Sequence, residues 1–495
     1  MGNRLKNEAE NFHGPRTIII ALAVIAASFI LAAIIPPVDP ENPTIVACVP
    51  AIFLIVYIFT TKRILEALFL ASIVGLILVN PASIMGNLST TMTEVMMDED
   101  TGWLIIVCGL MGSIMTLIER AGGAIAFGEW VSKRCKTRKG TLMWTWFLGV
   151  IIFIDDYLNS LTVGSCMSSV TDRHKVSREY LSYIVSSTAA PLCVLIPIST
   201  WAVFAGRILE SSGWASPGDG VLYFIKTIPF NFYGWIAAIM VPCVIYGIIP
   251  MFGPMKKAED RVANGGPLAP PGSESIDMHA GEEAMPIPEK PSVWNFFLPI
   301  ICLIAATIIC DVDMQSGVII TLIFMFALYM FQNLMSASEF ADLCVKGIKN
   351  MVLPLMLMVL AFIFANMNEQ IGFTYYVITT GAKIMTPALM PVMVFILLAC
   401  TEFITGTNWG MYIIALPIVV PLATELGVNM PLAVAAVLSA GVFGSHVCFY
   451  SDCTVITSSA TGCNNFDHAY TQATYGVLAA VISAILFLIA GFVFA

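Results

Sequence analysis

The sequence predicts an all-α polytopic membrane protein built from two inverted-topology halves with broken helices, and three observations carry that expectation. Of its 495 residues 58% are hydrophobic and only 11% charged, whereas a soluble domain carries roughly a quarter charged residues. Apolar stretches near the ~20 residues that cross a bilayer recur about a dozen times, among them Thr17–Ile35, Pro43–Thr60, Ile64–Val79 and Gly102–Ile118. A set of local motifs in the first half returns in the same order in the second.

Orientation follows from the basic residues. Lys and Arg cluster at Arg4 to Arg16, Lys62-Arg63, Lys133 to Lys139, Arg173 to Arg178, Lys256 to Lys290, and Lys346 with Lys349. These loops are expected to be cytoplasmic, with the N-terminus among them. Pro36–Asn42, Asn80–Thr101, Leu209–Gly220 and Asp311–Gly317 hold acids and no base, which places them outside. Thr17–Ile35 ends in Pro-Pro rather than at a small-residue cleavage site, so it is expected to stay as an extra transmembrane helix.

Thr141–Thr171 is largely apolar yet has basic loops at both ends. A single crossing would leave one of them on the wrong side, so the segment reads as a re-entrant hairpin, about 141–171. Irregular backbone at membrane depth is tolerated where it lines a cavity.

Met251–Ser292 breaks the apolar pattern with Gly-Pro, Pro-Pro-Gly and mixed charges, and reads as a solvated cytoplasmic linker. It separates a first repeat, 43–250, from a second, 293–495, and leaves 1–42 as a tail plus the extra helix. Leu117-Ile118-Glu119-Arg120-Ala121-Gly122 matches Met367-Asn368-Glu369-Gln370-Ile371-Gly372. Asp156-Tyr157 then matches Glu402-Phe403, Thr162-Val163-Gly164 matches Asn408-Trp409-Gly410, and Ser199-Thr200 falls opposite Ser451-Asp452. The basic loops set the two copies in opposite orientations. By symmetry 386–424 is the second hairpin, opening outward. Inverted repeats with interrupted helices meeting near the midplane mark secondary transporters.

Acids and hydroxyls inside a membrane are costly and point to a site. Asp155, Asp156, Asn159 and Thr162 sit at the first hairpin's tip, and the last three share a helix face. A carboxylate, an amide oxygen and a hydroxyl suit a small dehydrated cation such as sodium, and the carboxylate can equally exchange that cation for a proton. Ser187-Thr188 and Ser199 flank two prolines, Pro191 and Pro197, each of which frees a backbone carbonyl. Asp156, Asn159, Ser187 and Thr188 form the expected sodium site. The second half offers Glu402, Thr405, Thr407 and Asn408, then Ser445 and His446, then Ser451, Asp452 and Thr454. His446 reads equally as a proton-coupling group or as a hydrogen-bonded packing residue. Glu119 with Arg120, and Glu369 in the second copy, read as a gate at helix ends.

Other classes are disfavoured. There is no Gly-x-x-x-x-Gly-Lys loop for nucleotide-driven pumping and no enzyme signature. The 13 Cys form no metal-spaced cluster, and a net charge of −10 offers nothing to nucleic acid. No cofactor is expected. The partners are lipids and a small cation, with a small organic solute as the alternative. A channel would need a continuous polar helix face, which hairpins and proline breaks do not supply.

Asp155-Asp156-Tyr157 with Asn159, Leu161-Thr162-Val163-Gly164, Ser187-Thr188-Ala189-Ala190-Pro191, Asn408-Trp409-Gly410, and Phe443-Gly444-Ser445-His446 with Ser451-Asp452 together resemble the NhaC-type sodium/proton antiporter family of the ion transporter superfamily. The similarity runs from about residue 45 to the end. The resemblance implies a scaffold and a transport part bearing both hairpins, elevator-like displacement, a homodimer in the cytoplasmic membrane, and coupling to sodium or protons. It also implies that some members move organic acids or amino acids. One departure stands out: the family pattern has Gly-Asp-His where this chain has Gly444-Ser445-His446. A missing carboxylate there favours a site shaped for more than a bare ion, with Trp409, Phe449 and Tyr450 nearby in sequence.

Overall fold

A computed structural model of the chain describes residues 15–34, 38, 40, 42–61, 63–134, 137–153, 155–197, 199–273, 288, 291–310 and 312–494. Helices and their connections make up all of the described residues, and none forms a strand. The first half runs α1 (Pro15–Ile34), α2 (Val49–Thr61), α3 (Ile64–Val79), α4 (Ile84–Met97), α5 (Glu99–Arg120), α6 (Gly123–Arg134), α7 (Arg138–Ile151), α8 (Asp156–Arg173), α9 (Arg178–Thr188), α10 (Ala190–Cys193), α11 (Thr200–Ser211), α12 (Gly220–Thr227) and α13 (Phe232–Tyr246). After α14 (Gly253–Ala263) the second half runs α15 (Trp294–Ile309), α16 (Met314–Phe331), α17 (Ala337–Asn350), α18 (Val352–Gln370), α19 (Phe373–Ala382), α20 (Met390–Thr405), α21 (Asn408–Leu426), α22 (Met430–Val447), α23 (Asp452–Thr461) and α24 (Asn465–Phe494).

Among the described residues five helical stretches are long and apolar enough to cross a membrane, and up to eight if each of three bent pairs counts as one span. One such pair, α3 with α4, bends by 117°. Four shorter apolar helices account for most of the remaining apolar segments. The sequence reading found more segments than there are full crossings because many are half-helices.

Both expected hairpins are helix–break–helix units. In the first, α7 and α8 flank residues 152–155, and the Asn159 side chain closes the gap by donating to Gly149 O (2.7 Å) and Ile152 O (2.8 Å). In the second, α20 and α21 are separated by Gly406 and Thr407, and Gly406 has φ of +74°. A Cβ there would lie 2.6 Å from the Tyr450 ring, so only glycine suits both the turn and the contact.

The structure corrects the register of the expected repeat at this point. Asp156 opens the outgoing helix α8, whereas Glu402 lies in the last turn of the incoming helix α20. The pairing of Asp156 with Glu402, and with it Thr162 with Asn408, therefore puts residues from opposite sides of the break together. Similar polar spacing produced the match, but the first break is longer than the second.

Two other matches have the same local geometry in both halves. Gly122 and Gly372 end α5 and α18 with φ of +74° and +71°. The hydroxyl of Ser199 caps α11 by accepting from Ala202 N and donates to Cys193 O at 2.7 Å. Ser451 caps α23 by accepting from Thr454 N and donates to Ser445 O at 2.7 Å.

The halves interlock. Helix α5 packs along α17, where Gly112 and Gly347 bring the backbones into contact and Ser113 Oγ donates to Cys344 O at 2.8 Å. Helix α18 packs in turn on α3. Gly122 rests against Pro291, ahead of α15, and Gly372 against Pro40 and Pro43, ahead of α2.

The expected solvated linker proves partly ordered. Helix α14 buries Met255, Ala258 and Val262, one face at helical spacing, against α9 and α24. Its charges are not free either. Glu259 pairs with Arg138 and accepts from Ser177 N and Oγ, and Arg261 makes a bidentate pair with Glu179 at 2.7 and 2.8 Å. That pairing raises the already high Arg261 pKa further. Alternating charge in the sequence concealed the buried stripe. The rest of that linker, 274–287 and 289–290, and the basic tail before residue 15 lie outside the described residues.

Candidate functional site

Helices α8 and α23 lie side by side with their N-termini at the same end. Ser160 and Thr457 share a hydrogen bond of 2.9 Å, and Gly164 presses on Ala460. That packing brings Asp155 and Asp156 from one half beside Asp452 from the other, about three hundred residues later. All three are buried, at 1%, 2% and 3% exposure.

Each carboxylate has defined partners. Asp155 caps α8 by accepting from the backbone N–H groups of Tyr157 (2.9 Å) and Leu158 (3.1 Å), and accepts from Thr200 Oγ1 at 2.9 Å. Asp156 accepts from Trp201 Nε1 at 3.1 Å. Asp452 accepts from its neighbour Cys453 N and, at 2.6 Å, from the Tyr157 hydroxyl. Helix N-termini favour negative charge, yet among the described residues none of the three acids forms an ion pair. A buried carboxylate without a basic partner is stable as the neutral acid or beside a cation.

Glu402 is a fourth buried acid. It is fully shielded, its Oε2 receives only a 3.5 Å contact from Thr405 Oγ1, and its Oε1 has no partner. A side chain at Gly444 would run into the Glu402 stem, so that glycine makes room for it. Ser445, where the family pattern has Asp, is buried with Oγ unpartnered, while its carbonyl accepts from Ser451 Oγ and from Thr454 Oγ1 at 3.3 Å.

The four residues expected to hold sodium are engaged separately. Asn159 donates its amide to Gly149 O, Ile152 O and, at 2.7 Å, Thr188 O, leaving Oδ1 unpartnered. The Thr188 hydroxyl bonds back to Ile184 O and Val185 O. Ser187 Oγ meets His446 Nε2 at 2.9 Å. Among the described residues no three His, Cys, Asp or Glu side chains converge on a metal-sized point. Oxygens without partners near the first hairpin's tip are instead Asn159 Oδ1 and Thr162 Oγ1, and in the second hairpin Asn408 Oδ1.

His446 is held at both ring nitrogens, by Ser187 and by the Tyr233 hydroxyl at 2.8 Å, and Gln472 donates to its carbonyl. This is the hydrogen-bonded packing arrangement. Arg120, expected with Glu119 to form a salt-bridged or snorkelling gate, pairs with Glu339 on α17 at 2.6 Å, across the two halves. Glu369 packs on the start of the second hairpin's outgoing helix: a Cβ on Gly410 would lie 2.7 Å from its Oε1.

A cavity of about 420 Å³ reaches Tyr157 and Thr200, which hydrogen-bond to Asp452 and Asp155. Trp103, Tyr157, Thr200, Phe204, Arg207 and Trp409 are among its walls. Trp409 is packed by Trp201 and Phe204, with ring centroids 5.2 and 4.4 Å away. Sequence reasoning singled out neither Tyr157 nor Trp201 nor Arg207 for these roles. Tyr157 and Trp201 each adjoin a polar pair, Asp155-Asp156 and Ser199-Thr200, and that adjacency was the available signal.

Broken helices carrying buried acids from both halves, in a chain of membrane-spanning length and apolarity, define a multi-pass membrane transporter. A model of the Na+/H+ antiporter family matches residues 192–492, and the chain belongs to that family; it is a secondary transporter and not an enzyme. An uncharacterized protein of Haemophilus influenzae is 26% identical over 485 residues, covering 90% of this chain and 91% of that one. The malate-2H(+)/Na(+)-lactate antiporter of Bacillus subtilis is 30% identical over 114 residues, covering 23% of this chain and 24% of that one. The solved structure of Neisseria gonorrhoeae MtrF, described with a class of antimetabolite efflux pumps, aligns over 97% of this chain and 96% of its own at 10% identity and TM-score 0.36. The Alcanivorax borkumensis YdaH transporter aligns over 82% and 88% at 12% identity and TM-score 0.34. Likeness at that level carries no weight for this chain.

Proposed function

We propose that this protein exchanges sodium for protons across the cytoplasmic membrane, as an NhaC-type antiporter whose coupling carboxylates are Asp155, Asp156 and Asp452, with Glu402 behind them. The observation that carries this reading is the group of buried acids without basic partners at the joined N-termini of α8 and α23. Such acids must be neutralised, and a proton or a sodium ion does so interchangeably. Tyr157, donating to Asp452, relays the state of one half's carboxylate to the other half. The unpartnered oxygens of Asn159, Thr162, Asn408 and Ser445 supply neutral ligands for a dehydrated ion.

In this reading 43–250 and 293–495 are inverted repeats, the two hairpins are re-entrant, and the N-terminus is cytoplasmic. The hairpin-bearing part moves against a dimeric scaffold in an elevator-like stroke. The shared geometries at Gly122 and Gly372, and at Ser199 and Ser451, support the repeat.

The test uses liposomes holding purified protein and a pH-sensitive dye, with sodium, lithium or potassium added outside. Sodium entry should drive protons out, and Asp156→Asn should abolish the signal while leaving a folded protein. Wild-type rates in that variant would overturn the site.

A second reading, in which a small organic anion is carried with the ion, is favoured by one observation. The cavity beside Tyr157 is far larger than a bare ion requires and has Arg207 in its wall, together with Glu99 and Asp313. Malate and lactate, for which the Bacillus subtilis relative is named, are of that class. Thermal stabilisation by small carboxylic acids but not by amines, lost in Arg207→Gln, would support it.

A further inference from the structure

A second cavity, of about 210 Å³, lies between α4, α5, α18 and the start of α21, and none of the residues named so far for ion exchange except Glu369 and Thr407 borders it. Glu94, Asp98 and Glu369 all line it, and among the described residues no basic side chain does. Its polar wall is built rather than loose. Gln370 Nε2 donates to Thr91 Oγ1 at 3.1 Å and to Asn366 Oδ1 at 2.8 Å, tying α18 to α4, and Asn366 lines the cavity. Asp98 is fixed as the cap of α5 through Thr101 N at 2.9 Å.

The far wall contains Thr407, which is 7% exposed and makes no side-chain hydrogen bond among the described residues, although it occupies the capping position of α21. A hydroxyl in the cavity wall that no described residue uses is free to meet a ligand there. Beyond it the cavity ends at Phe362 and Trp409, and these two residues also line the cavity that reaches Tyr157 and Thr200. The two cavities thus share an aromatic wall, and the larger one is bordered by Tyr157 and Thr200, the partners of Asp452 and Asp155.

We propose that Glu94, Asp98 and Glu369, with the Thr407 hydroxyl, form a capture site for a monovalent cation, from which the ion passes Trp409 to reach Asp155, Asp156 and Asp452. The proposal rests on the cation-exchange reading above. Acids clustered around a cleft raise the local cation concentration, and the gain falls as salt screens it. Three exposed carboxylates and one hydroxyl suit a weakly held ion that must leave again. A divalent ion would be bound more tightly by the same charges and released less readily.

The experiment is sodium-driven proton movement in proteoliposomes, with wild type compared with Glu94→Gln, Asp98→Asn, Glu369→Gln and the triple variant. Asn keeps the cap of α5, so the fold is preserved. The triple variant should need roughly ten times more sodium for half-maximal rate, at the low end of such focusing, with the loss falling on KM. In wild type, choline chloride should raise KM toward the variant's value, and in the triple variant it should not. The wild-type salt dependence is read without any substitution, so it stands even if a variant folds poorly. Unchanged KM in the triple variant, a salt-independent wild-type KM, or a fall in maximal rate alone would each overturn the capture site. Absence of sodium-driven proton movement in wild type would instead remove the exchange reading on which it rests.

Discussion

At the tip of the first hairpin Asn159 donates to three carbonyls drawn from α7, the break and α9, whereas at the tip of the second Asn408 makes no such bridge and Gly406 turns the chain through left-handed backbone, although both asparagines leave Oδ1 unpartnered. The first tip carries its acids on the outgoing helix and fastens them with Thr200, Trp201 and backbone N–H groups. The second carries Glu402 on the incoming helix with one oxygen free. Related sequence patterns thus give one tip whose asparagine braces three segments and one whose asparagine does not, with unpartnered oxygens at both. The difference teaches that a matching motif does not fix a matching local structure.

The sharpest way to break that comparison is to remove both amides. Asn159→Ala should cost about 2 kcal/mol, because two N–H groups shared among three carbonyls are lost at roughly 0.6 kcal/mol each and the buried carbonyls left without a donor add to the penalty, and should lower the melting temperature in detergent. Asn408→Ala should leave melting nearly unchanged and weaken sodium dependence. Equal loss of stability in the two variants would mean that both tips are structural braces.

A smaller effect is expected at the turn. Gly406→Ala places a side chain at positive φ and against Tyr450, at a cost of about 1 kcal/mol or more, and the loss should be larger than for Gly109→Ala, where a Cβ meets only Ile348 at 3.9 Å. Identical melting of the two variants would show that the second tip relaxes freely. The smallest effect should come from Ser445→Asp. An added carboxylate beside the unpartnered oxygens should tighten sodium binding a few-fold, within the roughly 1.4 kcal/mol that corresponds to a factor of ten, read as sodium-dependent thermal stabilisation. No change would mean that Ser445 does not face the ion.

Much of this was legible in the sequence because intramembrane acids and proline breaks are local signals. Asp155-Asp156, the breaks after Thr188 and before Thr200, and the equivalence of Ser199 and Ser451 needed only neighbouring residues. The meeting of Tyr157 with Asp452 was not legible, since it depends on α8 and α23 packing from opposite ends of the chain. The hairpin register failed for a related reason: polar spacing does not reveal how many residues a break consumes. The α14 stripe was hidden because Met255, Ala258 and Val262 are diluted by the charges of Lys256, Lys257, Glu259, Asp260 and Arg261. Of those charges Glu259 and Arg261 face partners on α7 and α9, which composition could not convey.

The interlocking of the halves bears on how the protein is made. Synthesis delivers the N-terminal half first, but α5 has its close-packed partner in α17, and Gly122 its proline neighbour ahead of α15. Arg120 likewise waits for Glu339, more than two hundred residues downstream. During translation the first half therefore sits in the bilayer with its small-residue faces against lipid and an arginine uncompensated. Nascent chains halted before residue 337 should be the ones that membrane quality control recognises, and completion of α17 is the moment at which the protein ceases to be a substrate for it.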